Sequence, residues 1–276
     1  MKTLRLLLLV SASLLPGAVG QAQVLMLDFG PTTVTGASQA NSPYHTVVPS
    51  FTGTVWNRIQ TADVLSGLLY ADGTEAAGLT LDLGATTTET STIVGLGNTP
   101  SGNNALGNVT NTDVYAGTSV GKDGIYTGSG GGSLRFVGFQ LGGLAPGTYE
   151  IYLTSRNTNT SNAYSQIAYV GTSATAGDFD AVTLSLTGSL SYANGSDAVL
   201  SWEVNENYLK FTVTLNPGDY LNLAVSGGAS GERRGFLNSV QIVAVPEPSG
   251  ILLLGLAGVW LTVFRRNVTG RSWQSF

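Results

Sequence analysis

Apolar and polar residues alternate with a period of two in segments that recur along most of the chain. Such alternation puts apolar side chains on one face of a β-strand and polar side chains on the other. In Leu209–Leu215, for example, Lys210 and two threonines separate four apolar residues. Pairs that favour tight turns, such as Pro146-Gly147, stand between the segments. The predicted strands cover residues 24–29, 79–83, 134–141, 149–154, 167–170, 182–187, 198–204, 209–215, 221–225 and 236–244.

The spacing of these segments predicts an all-β protein, with residues 24–244 forming an antiparallel β-sandwich or jelly roll. Short strands separated by Gly, Pro and Asn turns, without a helical period between them, are typical of that class. Within residues 24–244, the stretch over 61–70 is compatible with one or more helical turns. Residues 98–133 are rich in Asn, Gly, Thr and Ser and predict a long flexible loop or an excursion on the sandwich. They lack the Gly-Lys-Ser/Thr ending of a phosphate-binding loop.

The N-terminal end of the chain departs from the strand pattern. Residues 1–22 begin with basic residues, continue through an apolar stretch over 6–15, and end in small residues. This order is that of a secretory signal peptide, which is cleaved during export. Small residues stand at Ala18 and Gly20, and again at Gly20 and Ala22, so two neighbouring cleavage positions fit the pattern. The apolar stretch is short for a retained membrane anchor.

A second apolar segment follows the last predicted strand. Residues 249–264 are apolar and are stopped by Arg265 and Arg266, which favour the cytoplasmic side of a membrane. With Pro248 the segment has 17 residues, which as a helix of about 25 Å barely covers a bilayer core of about 30 Å. We expect a single transmembrane helix over 249–264 and a cytoplasmic tail over 267–276. A C-terminal core helix is the alternative.

The peptide before this segment carries a short motif. It reads Val245, Pro246, Glu247, Pro248 and Ser249. Prolines on both sides of the glutamate end the preceding strand and keep the peptide extended. A Pro-Glu-Pro motif, a transmembrane helix and an arginine cluster, in this order, resemble the C-terminal sorting signal of the PEP-CTERM proteins of Gram-negative bacteria. The resemblance covers residues 245–266, under a tenth of the chain.

The resemblance implies a route for the protein. It implies export, recognition by an exosortase in the inner membrane, cleavage near the Pro-Glu-Pro motif, and delivery to the cell surface or exopolysaccharide matrix. The tail after Arg266 is longer than is usual in the family. Many ectodomains of this family begin and end with strands like VLMLDFGP and GFLNSVQIV. We therefore expect the first and last strands of residues 24–244 to be neighbours near the membrane-proximal end.

Composition excludes several classes of site. The chain has no cysteine and one histidine, His45, which rules out thiolate sites and multi-histidine metal centres. Charged residues make up only 11% of the chain, against about 25% in an average soluble protein, as is typical of exported β proteins. All 17 acidic residues except Glu247, and seven of the 12 basic residues, lie in residues 24–244, a net charge of about −9. The whole chain has a net charge of −5, which argues against nucleic acid as a partner.

Candidate ligand contacts come from the residue types that bind sugars. The flat apolar rings of Trp and Tyr stack on the face of a sugar, and Asn, Arg and Asp bond its hydroxyl groups. Tyr44, Trp56 and Asn57 bring these types together on predicted loops. For Trp56 the ordinary explanation is a core or rim aromatic, and a glycan contact is the alternative. We expect His45, beside Tyr44, to be a loop residue and not a catalyst.

Arg234 and Asn238 complete the set of glycan-contact candidates. Asn238 is predicted on the apolar face of the last strand, with Phe236 and Val240, where a polar side chain needs hydrogen-bond partners. The ordinary explanation is that Asn238 and an arginine tie down loops near the start of that strand, together with Asn57. A ligand role is the alternative.

The leading hypothesis is a non-enzymatic exported protein that is structural or contacts glycans. One alternative is a polysaccharide-active enzyme on a jelly-roll scaffold, which would need two carboxyl groups about 5 to 10 Å apart across an aromatic cleft. The other is a purely mechanical surface protein. No cofactor is predicted. The full aspartate pattern of a calcium loop is absent from the sequence. A structural Ca²⁺ ion is still an open alternative, because jelly-roll modules often hold one.

Overall fold

The computed structural model describes residues 22–30, 35–59, 64–83, 93–94, 114–115, 120–126, 136–158, 165–177, 179–191, 201–228 and 233–246. These residues form β-strands joined by turns, together with a five-residue α-helix, α1 (Pro43–Val47), and two short 3-10 helices. The strands in chain order are β1 (Val24–Phe29), β2 (Asn57–Ile59), β3 (Val64–Leu65), β4 (Thr80–Asp82), β5 (Ile93–Val94), β6 (Ile125–Tyr126), β7 (Phe136–Gly142), β8 (Gly147–Thr154), β9 (Ser165–Ser173), β10 (Phe179–Asp180), β11 (Leu186–Ser191), β12 (Leu209–Leu215), β13 (Tyr220–Gly227), β14 (Phe236–Leu237) and β15 (Ser239–Ala244).

Five strands form one sheet, in the order β12-β8-β15-β1-β2. Neighbours in this sheet are antiparallel except β1 and β2, which run parallel. Strands β1 and β15 pair along their length, with Leu27 opposite Val240. The prediction that the first and last strands are neighbours is therefore confirmed.

Six strands form the second sheet, in the order β11-β9-β13-β7-β4-β3, and each of its pairs is antiparallel. Two further pairs, β10-β5 and β14-β6, lie outside the large sheets. The predicted all-β class with sandwich-like, mainly antiparallel sheets is confirmed. The finer jelly-roll assignment stays a prediction.

The two large sheets enclose one apolar core. Phe29 of β1 stacks on Phe139 of β7, with ring centroids 5.7 Å apart, and both side chains are fully buried. Strand β12 shows the predicted alternation in full, because its four apolar residues are buried while Lys210 and its two threonines are exposed. Burial of apolar surface, which contributes roughly 25 cal/mol per Å², is the main force that holds such sheets together.

Strand β1 is buried on both faces, and Asp28 is its one polar residue. One face lies in the core. The other face, which includes Met26, lies under residues 35–56, here called the covering segment. In this segment Tyr44 donates its main-chain N–H to Oε1 of Gln241 at 3.0 Å, and Gln241 lies opposite Met26 in the sheet. The covering segment therefore closes the outer face of the five-stranded sheet over β1.

The last predicted strand is divided at Asn238. Strand β14 pairs with β6 in a small separate sheet, and β15 continues in the five-stranded sheet. The single continuous strand expected over 236–244 is therefore wrong. The break occurs where Asn238 bonds to the chain around it: its N–H donates to the Thr154 carbonyl at 3.2 Å, and its carbonyl accepts from the Phe29 N–H at 2.8 Å.

The strand predicted over 182–187 begins later in the structure. A 3-10 helix occupies Ala181–Thr183, and β11 starts at Leu186. Ala181 is fully buried in a small apolar cluster with Phe136, on the outer face of the six-stranded sheet. The burial of Ala181 holds the chain in a turn, so the strand begins only at Leu186.

Residues 201–204, the described part of the strand predicted over 198–204, form an isolated bridge and no strand. A turn follows them. In it the Glu203 N–H donates to Oδ1 of Asn207 at 2.9 Å, and Nδ2 of Asn207 donates to the Ser201 carbonyl at 2.7 Å. The side-chain amide of Asn207 thus bonds the Glu203 N–H and the Ser201 carbonyl, two main-chain groups that would pair with a neighbouring strand if this stretch were in a sheet.

The described parts of residues 98–133 pack into the protein. Their buried core residues are Val114, Tyr115, Val120 and Ile125. The flexible-loop alternative is therefore wrong for residues 114–115 and 120–126, whereas an excursion packed on the sandwich agrees with their burial. Residues 64–70, the described part of the short helix that was considered, contain β3 and no helical turn.

The chain ends carry the remaining predictions of domain organisation. The signal peptide, apart from Ala22, and the segment beyond Pro246, with the helix predicted over 249–264, lie outside the described residues. None of the helices in the described ranges has the length and apolar character needed to cross a bilayer.

Candidate functional site

The covering segment places aromatic rings on the outer face of the five-stranded sheet. Helix α1 begins at Pro43, a residue suited to the first helical position. The ring of Tyr44, next in the chain, lies 4.8 Å from that of Phe51 and 5.3 Å from that of Tyr152 on β8, measured between centroids. Such pairs add roughly 0.5 to 1.5 kcal/mol beyond the burial of their surface. Tyr44 therefore anchors the segment on the sheet and holds Phe51 in place.

His45 supports the covering segment from within α1. Its Nε2 donates to the Gly53 carbonyl at 2.8 Å, and its Nδ1 lies 2.6 Å from the Ser42 hydroxyl. A carbonyl can only accept, so the neutral ring carries its proton on Nε2 and Nδ1 accepts from Ser42. Burial lowers the pKa of His45 below its ordinary value, and the bond to Gly53 offsets this only in part. His45 is thus a neutral side chain whose two nitrogens are both used inside the fold.

An open pocket of about 340 Å³ lies beside the covering segment, at the start of β1. This volume falls at the small end of the range for small-molecule sites, roughly 300 to 1,000 Å³. We call it the β1 pocket. Its lining residues come from the start of β1, the end of the covering segment and the turn after β3, and are Ala22, Gln23, Val24, Phe51, Thr52, Gly53, Thr54, Val55, Tyr70, Ala71, Asp72 and Thr74.

Main-chain hydrogen bonds join the three stretches that line the β1 pocket. Ala71 donates its N–H to the Val24 carbonyl at 2.8 Å, and its own carbonyl accepts from the Thr54 N–H at 2.9 Å. Gly53 has no room for a side chain, because a Cβ there would lie 2.6 Å from Cβ of Ala71 and 2.6 Å from the ring of Phe51. The walls are thus built into the fold, and the pocket has its shape before any ligand arrives.

Two half-buried aromatic rings, those of Phe51 and Tyr70, line the β1 pocket. Phe51 is packed against Tyr44 and His45, with ring centroids 4.8 and 4.7 Å away. Tyr70 is held through its main chain, whose N–H donates to the Thr74 carbonyl at 2.8 Å. Rings held in this way offer flat apolar surface that needs no ordering when a ligand binds.

Polar groups surround these two rings. Within the described residues four of them make no hydrogen bond, namely the hydroxyls of Thr52, Thr54 and Tyr70 and the side-chain amide of Gln23. Asp72 accepts from the N–H and the hydroxyl of Thr74, at 2.9 and 2.6 Å, and uses Oδ1 for both bonds. A ligand rich in hydroxyl groups therefore meets donors and acceptors beside flat apolar surface.

Asp72 is the one charged side chain among the lining residues. Hydrogen bonds from the hydroxyl and N–H of Thr74 lower the pKa of Asp72 below its ordinary value, so the carboxylate is ionised at neutral pH. Burial, and then the charge of Asp72, raise the pKa of Tyr70, so its hydroxyl stays protonated and can donate. The pocket thus presents a negative charge beside neutral polar groups.

Two of the predicted glycan contacts lie in the covering segment. Tyr44 is buried, and it packs against a ring of the β1 pocket, that of Phe51. Trp56 is half-buried, and its indole N–H donates to the Gln39 carbonyl at 2.9 Å. Trp56 also packs against the main core, as the ordinary explanation of it as a core or rim aromatic requires.

Asn57 and Arg234 do not line the β1 pocket. Nδ2 of Asn57 donates to a β1 carbonyl at 3.0 Å and to the Leu69 carbonyl at 2.7 Å, and its Oδ1 accepts from the Leu69 N–H at 2.8 Å. The guanidinium carbon of Arg234 lies 4.9 Å from the ring centroid of Tyr126 and 5.3 Å from that of Phe236, at cation–π distance. None of the five predicted glycan contacts therefore lines the β1 pocket.

Asn238 is fully buried and connects three parts of the chain. Its Oδ1 accepts from the Arg156 N–H at 2.6 Å, and its Nδ2 donates to the carbonyls of Asp123 at 2.7 Å and Gly121 at 3.2 Å. These bonds are of the kind that the structural explanation of Asn238 requires, although the arginine involved is Arg156 and it contributes its main chain. Asn238 has no exposed surface and does not enter the ligand proposal below.

The predicted sorting motif begins where β15 ends. Val245 donates its N–H to the Thr148 carbonyl at 2.8 Å, and Ala244 donates to the Gln23 carbonyl at 3.0 Å. Because Gln23 lines the β1 pocket, the chain leaves the sheet beside that pocket. Pro246 is exposed. The residues of the motif that lie outside the described residues are Glu247, Pro248, Ser249, Arg265 and Arg266.

The enzyme and calcium alternatives each need a particular set of side chains. The lining of the β1 pocket contains one carboxylate, whereas glycosidases use two. In the part of the chain that the structure describes, no group of three or more His, Cys, Asp or Glu residues is placed to hold a metal ion. Both alternatives remain predictions from the sequence.

Two of the predicted contacts, Tyr44 and Trp56, lie in the covering segment, but the sequence analysis did not predict Phe51, Tyr70 or Asp72. One local signal was present, because Asp72-Gly73 is a turn-forming pair and Gly73 adopts a φ of +86°. That signal places Tyr70 at a turn. The approach of Tyr70 to Phe51 depends on the hydrogen bonds of Ala71, which no local pattern contains.

Comparison with known proteins finds distant likenesses among the solved structures. No family model and no curated protein matches the chain. Protein YXIM of Bacillus subtilis is similar with 15% identity and a TM-score of 0.33, over 80% of this chain and 40% of its own length. TmCBM61, solved in complex with β-1,4-galactotriose, is similar with 13% identity and a TM-score of 0.23, over 45% of this chain and 72% of its own. Likenesses this distant do not bear on function.

Proposed function

We propose that this chain is an exported protein of the cell surface or exopolysaccharide matrix, and that its β-sandwich binds glycan chains in the β1 pocket. The observation that carries the binding proposal is the set of unpartnered polar groups around the rings of Phe51 and Tyr70. A glycan offers the matching surfaces, since a sugar ring has an apolar face and a rim of hydroxyl groups. The binding role is non-enzymatic.

The charge of the pocket defines the class of glycan. Asp72 is ionised and no cation is present among the lining residues. The surrounding domain carries a net charge of about −9, from the seven basic and 16 acidic residues of 24–244. A polymer of uronic acids or sulfated sugars would meet like charge at the pocket and across the domain. The ligand we propose is therefore a neutral or amino-sugar polysaccharide.

The proposed route rests on the two ends of the chain. Residues 1–22 have the order of a cleaved signal peptide, and residues 245–266 have that of an exosortase sorting signal. Pro246 leaves the sheet at an exposed position, as a peptide that a protease must reach would do. In this proposal the helix over 249–264 is a temporary anchor, the tail over 267–276 is cytoplasmic, and the exosortase and inner membrane are partners during export only.

Replacement of Pro246-Glu247-Pro248 by three alanines is expected to block release of the protein from the membrane. The full chain is expressed in a Gram-negative host that encodes an exosortase, and the intact mass of the protein is measured in the membrane and extracellular fractions. The unaltered chain should appear outside the cell without the segment over 249–264. The matched control is Arg271→Ala, in the predicted tail, which should not change release. An extracellular unaltered chain that still contains Trp260, or a cytosolic one, would contradict the route.

Tyr70→Ala is expected to weaken glycan binding at least about tenfold, which corresponds to about 1.4 kcal/mol. The substitution removes one of the two aromatic rings of the β1 pocket and one hydroxyl donor. Tyr70→Phe keeps the ring and should lose less. Binding is measured with the exported protein by affinity electrophoresis in gels that contain a neutral glucan, a partly deacetylated N-acetylglucosamine polymer, or a polyuronate.

The matched control for Tyr70→Ala is Tyr169→Ala. Tyr169 is also half-buried, but it lies on the outer face of the six-stranded sheet, against Phe136. Its substitution should leave the migration of the protein unchanged in all three gels. Equal retardation of the Tyr70→Ala and unaltered proteins would remove the β1 pocket from the proposal. If no gel retarded the unaltered protein, the purely mechanical role would be the hypothesis that remains. New reducing ends in the polymer would indicate an enzyme.

A further inference from the structure

We propose that the mature protein begins with a glutamine that cyclises to pyroglutamate at the rim of the β1 pocket. This inference rests on the proposed export, because it requires removal of the signal peptide. The modification site is the α-amino group of the new terminus. Cyclisation does not change the class of glycan that the pocket is proposed to bind, but it removes a positive charge beside the pocket.

Both cleavage positions that fit the signal peptide expose a glutamine. Small residues at Gly20 and Ala22 direct cleavage before Gln23, and small residues at Ala18 and Gly20 direct it before Gln21. The choice between the two positions therefore does not alter the chemistry of the terminus. A terminus at Gln23 would stand directly before β1, which begins at Val24, and its carbonyl accepts from the Ala244 N–H at 3.0 Å.

The structure leaves the reacting groups of Gln23 free. Its carbonyl is fixed by the Ala244 N–H at 3.0 Å, and the next residue, Val24, is buried in β1. Its side chain is exposed, and neither its side-chain amide nor its main-chain nitrogen makes a hydrogen bond within the described residues. Ring closure at Gln23 therefore breaks no contact of the fold.

The reaction is an internal transamidation and needs no oxidant, reductant or second substrate. The neutral α-amino nitrogen attacks Cδ of its own side chain, a C–N bond forms to close a five-membered lactam, and the bond from Cδ to Nε2 breaks. Nε2 leaves as ammonia and takes up a proton from the attacking amine. An α-amino group has an ordinary pKa of about 7.7 to 8.0, so part of it is neutral at physiological pH. The two atoms lie in one residue, which favours reaction between them.

Ring closure removes a positive charge from the β1 pocket. Gln23 lines the pocket together with Asp72, and an open terminus there would add an ammonium group to a lining that otherwise carries one carboxylate. The lactam is neutral, as other modifications of the terminal amine are. Asp72 then keeps its charge without a cation on the neighbouring strand, which preserves the discrimination against acidic polymers described above.

Mass spectrometry of the N-terminal peptide tests this inference. The full chain is exported from a Gram-negative host, the mature protein is purified in acid to stop further reaction, and a protease that cuts before Asp28 releases the terminal peptide. We expect a peptide that begins at Gln23 or Gln21 and is one ammonia lighter than its sequence. A synthetic peptide with an open N-terminal glutamine, carried through the same steps, must remain open.

The matched variant is Gln23→Asn, combined with Gln21→Asn. Asparagine carries the same amide one methylene shorter, and it would have to form a strained four-membered ring, so its peptide should keep a free amine. An open glutamine terminus in the unaltered protein would overturn the inference and leave the export proposal intact. A mature terminus at any residue other than Gln21 or Gln23 would do the same. A chain that retains residues 1–22 would overturn both.

Discussion

Replacing Asn238 with alanine is expected to lower the free energy of unfolding by about 3 to 5 kcal/mol. The substitution removes three hydrogen bonds and leaves the Arg156 N–H and the carbonyls of Gly121 and Asp123 without the Asn238 amide. Asn238 has no exposed surface, so water does not replace these bonds unless the structure opens. Each buried polar group that loses its partner costs roughly 1 to 3 kcal/mol, which sets the size of the effect.

Chemical denaturation of the exported protein measures this loss, and Asn216→Ala serves as the matched control. Asn216 is exposed in the turn between β12 and β13, where its Nδ2 donates to Asp219 at 3.0 Å. Its substitution should cost about 0.5 kcal/mol or less, as is usual at exposed positions. Hydrogen exchange should also become faster in β6, because Asn238 holds the residues just before that strand. Equal stability of the Asn238→Ala and Asn216→Ala proteins would show that the Asn238 amide does not hold these parts together.

Phe139→Ala is expected to destabilise the protein by about 3 to 5 kcal/mol, the usual cost of this change in a core. Phe139 lies between the two large sheets, is fully buried and stacks on Phe29 at 5.7 Å. Alanine would leave a cavity that neighbouring strands cannot fill, because both sheets are fixed by their hydrogen bonds. The change therefore tests whether the sheets enclose one core.

Phe136→Ala is the matched control, since it makes the same change on the same strand. Phe136 belongs to the other face of β7, where it packs with Ala181 and Ala224 in a cluster of three buried residues. Loss of its ring should cost about half as much as that of Phe139 or less, because fewer apolar atoms surround it. Thermal and chemical unfolding of both variants measures the difference. A larger loss for Phe136 than for Phe139 would contradict the assignment of the two faces.

The strand predictions were right where burial follows the local alternation of apolar and polar residues. In β12 each apolar residue is buried and each polar residue is exposed, so the alternation was sufficient. The prediction was wrong at residues 182–187 because the burial of Ala181 against a distant residue, Phe136, favours a turn. It was wrong at 236–244 because the break at Asn238 depends on bonds to parts of the chain that are remote in sequence.

The candidate site was less predictable than the strands. The sequence directed attention to the covering segment, and Tyr44 does pack against a ring of the β1 pocket, that of Phe51. It did not identify Tyr70 or Asp72, whose positions depend on the hydrogen bonds between Ala71 and two other stretches of chain. Sugar-binding residue types are common on β-sandwich surfaces, and their identity alone does not reveal which of them remain unpartnered after folding.

What the sequence determined by itself is the all-β class, because the face on which a strand residue lies follows from local alternation. The neighbouring positions of the first and last strands were expected from the family resemblance, and the route rests on two terminal segments outside the described residues. Only the tertiary structure decided that Asn238 is a buried tie and that Phe51, Tyr70 and Asp72 share an open pocket. Burial and hydrogen-bond partners are set by residues far away in the chain, so a polar side chain acquires its role only when the sheets close.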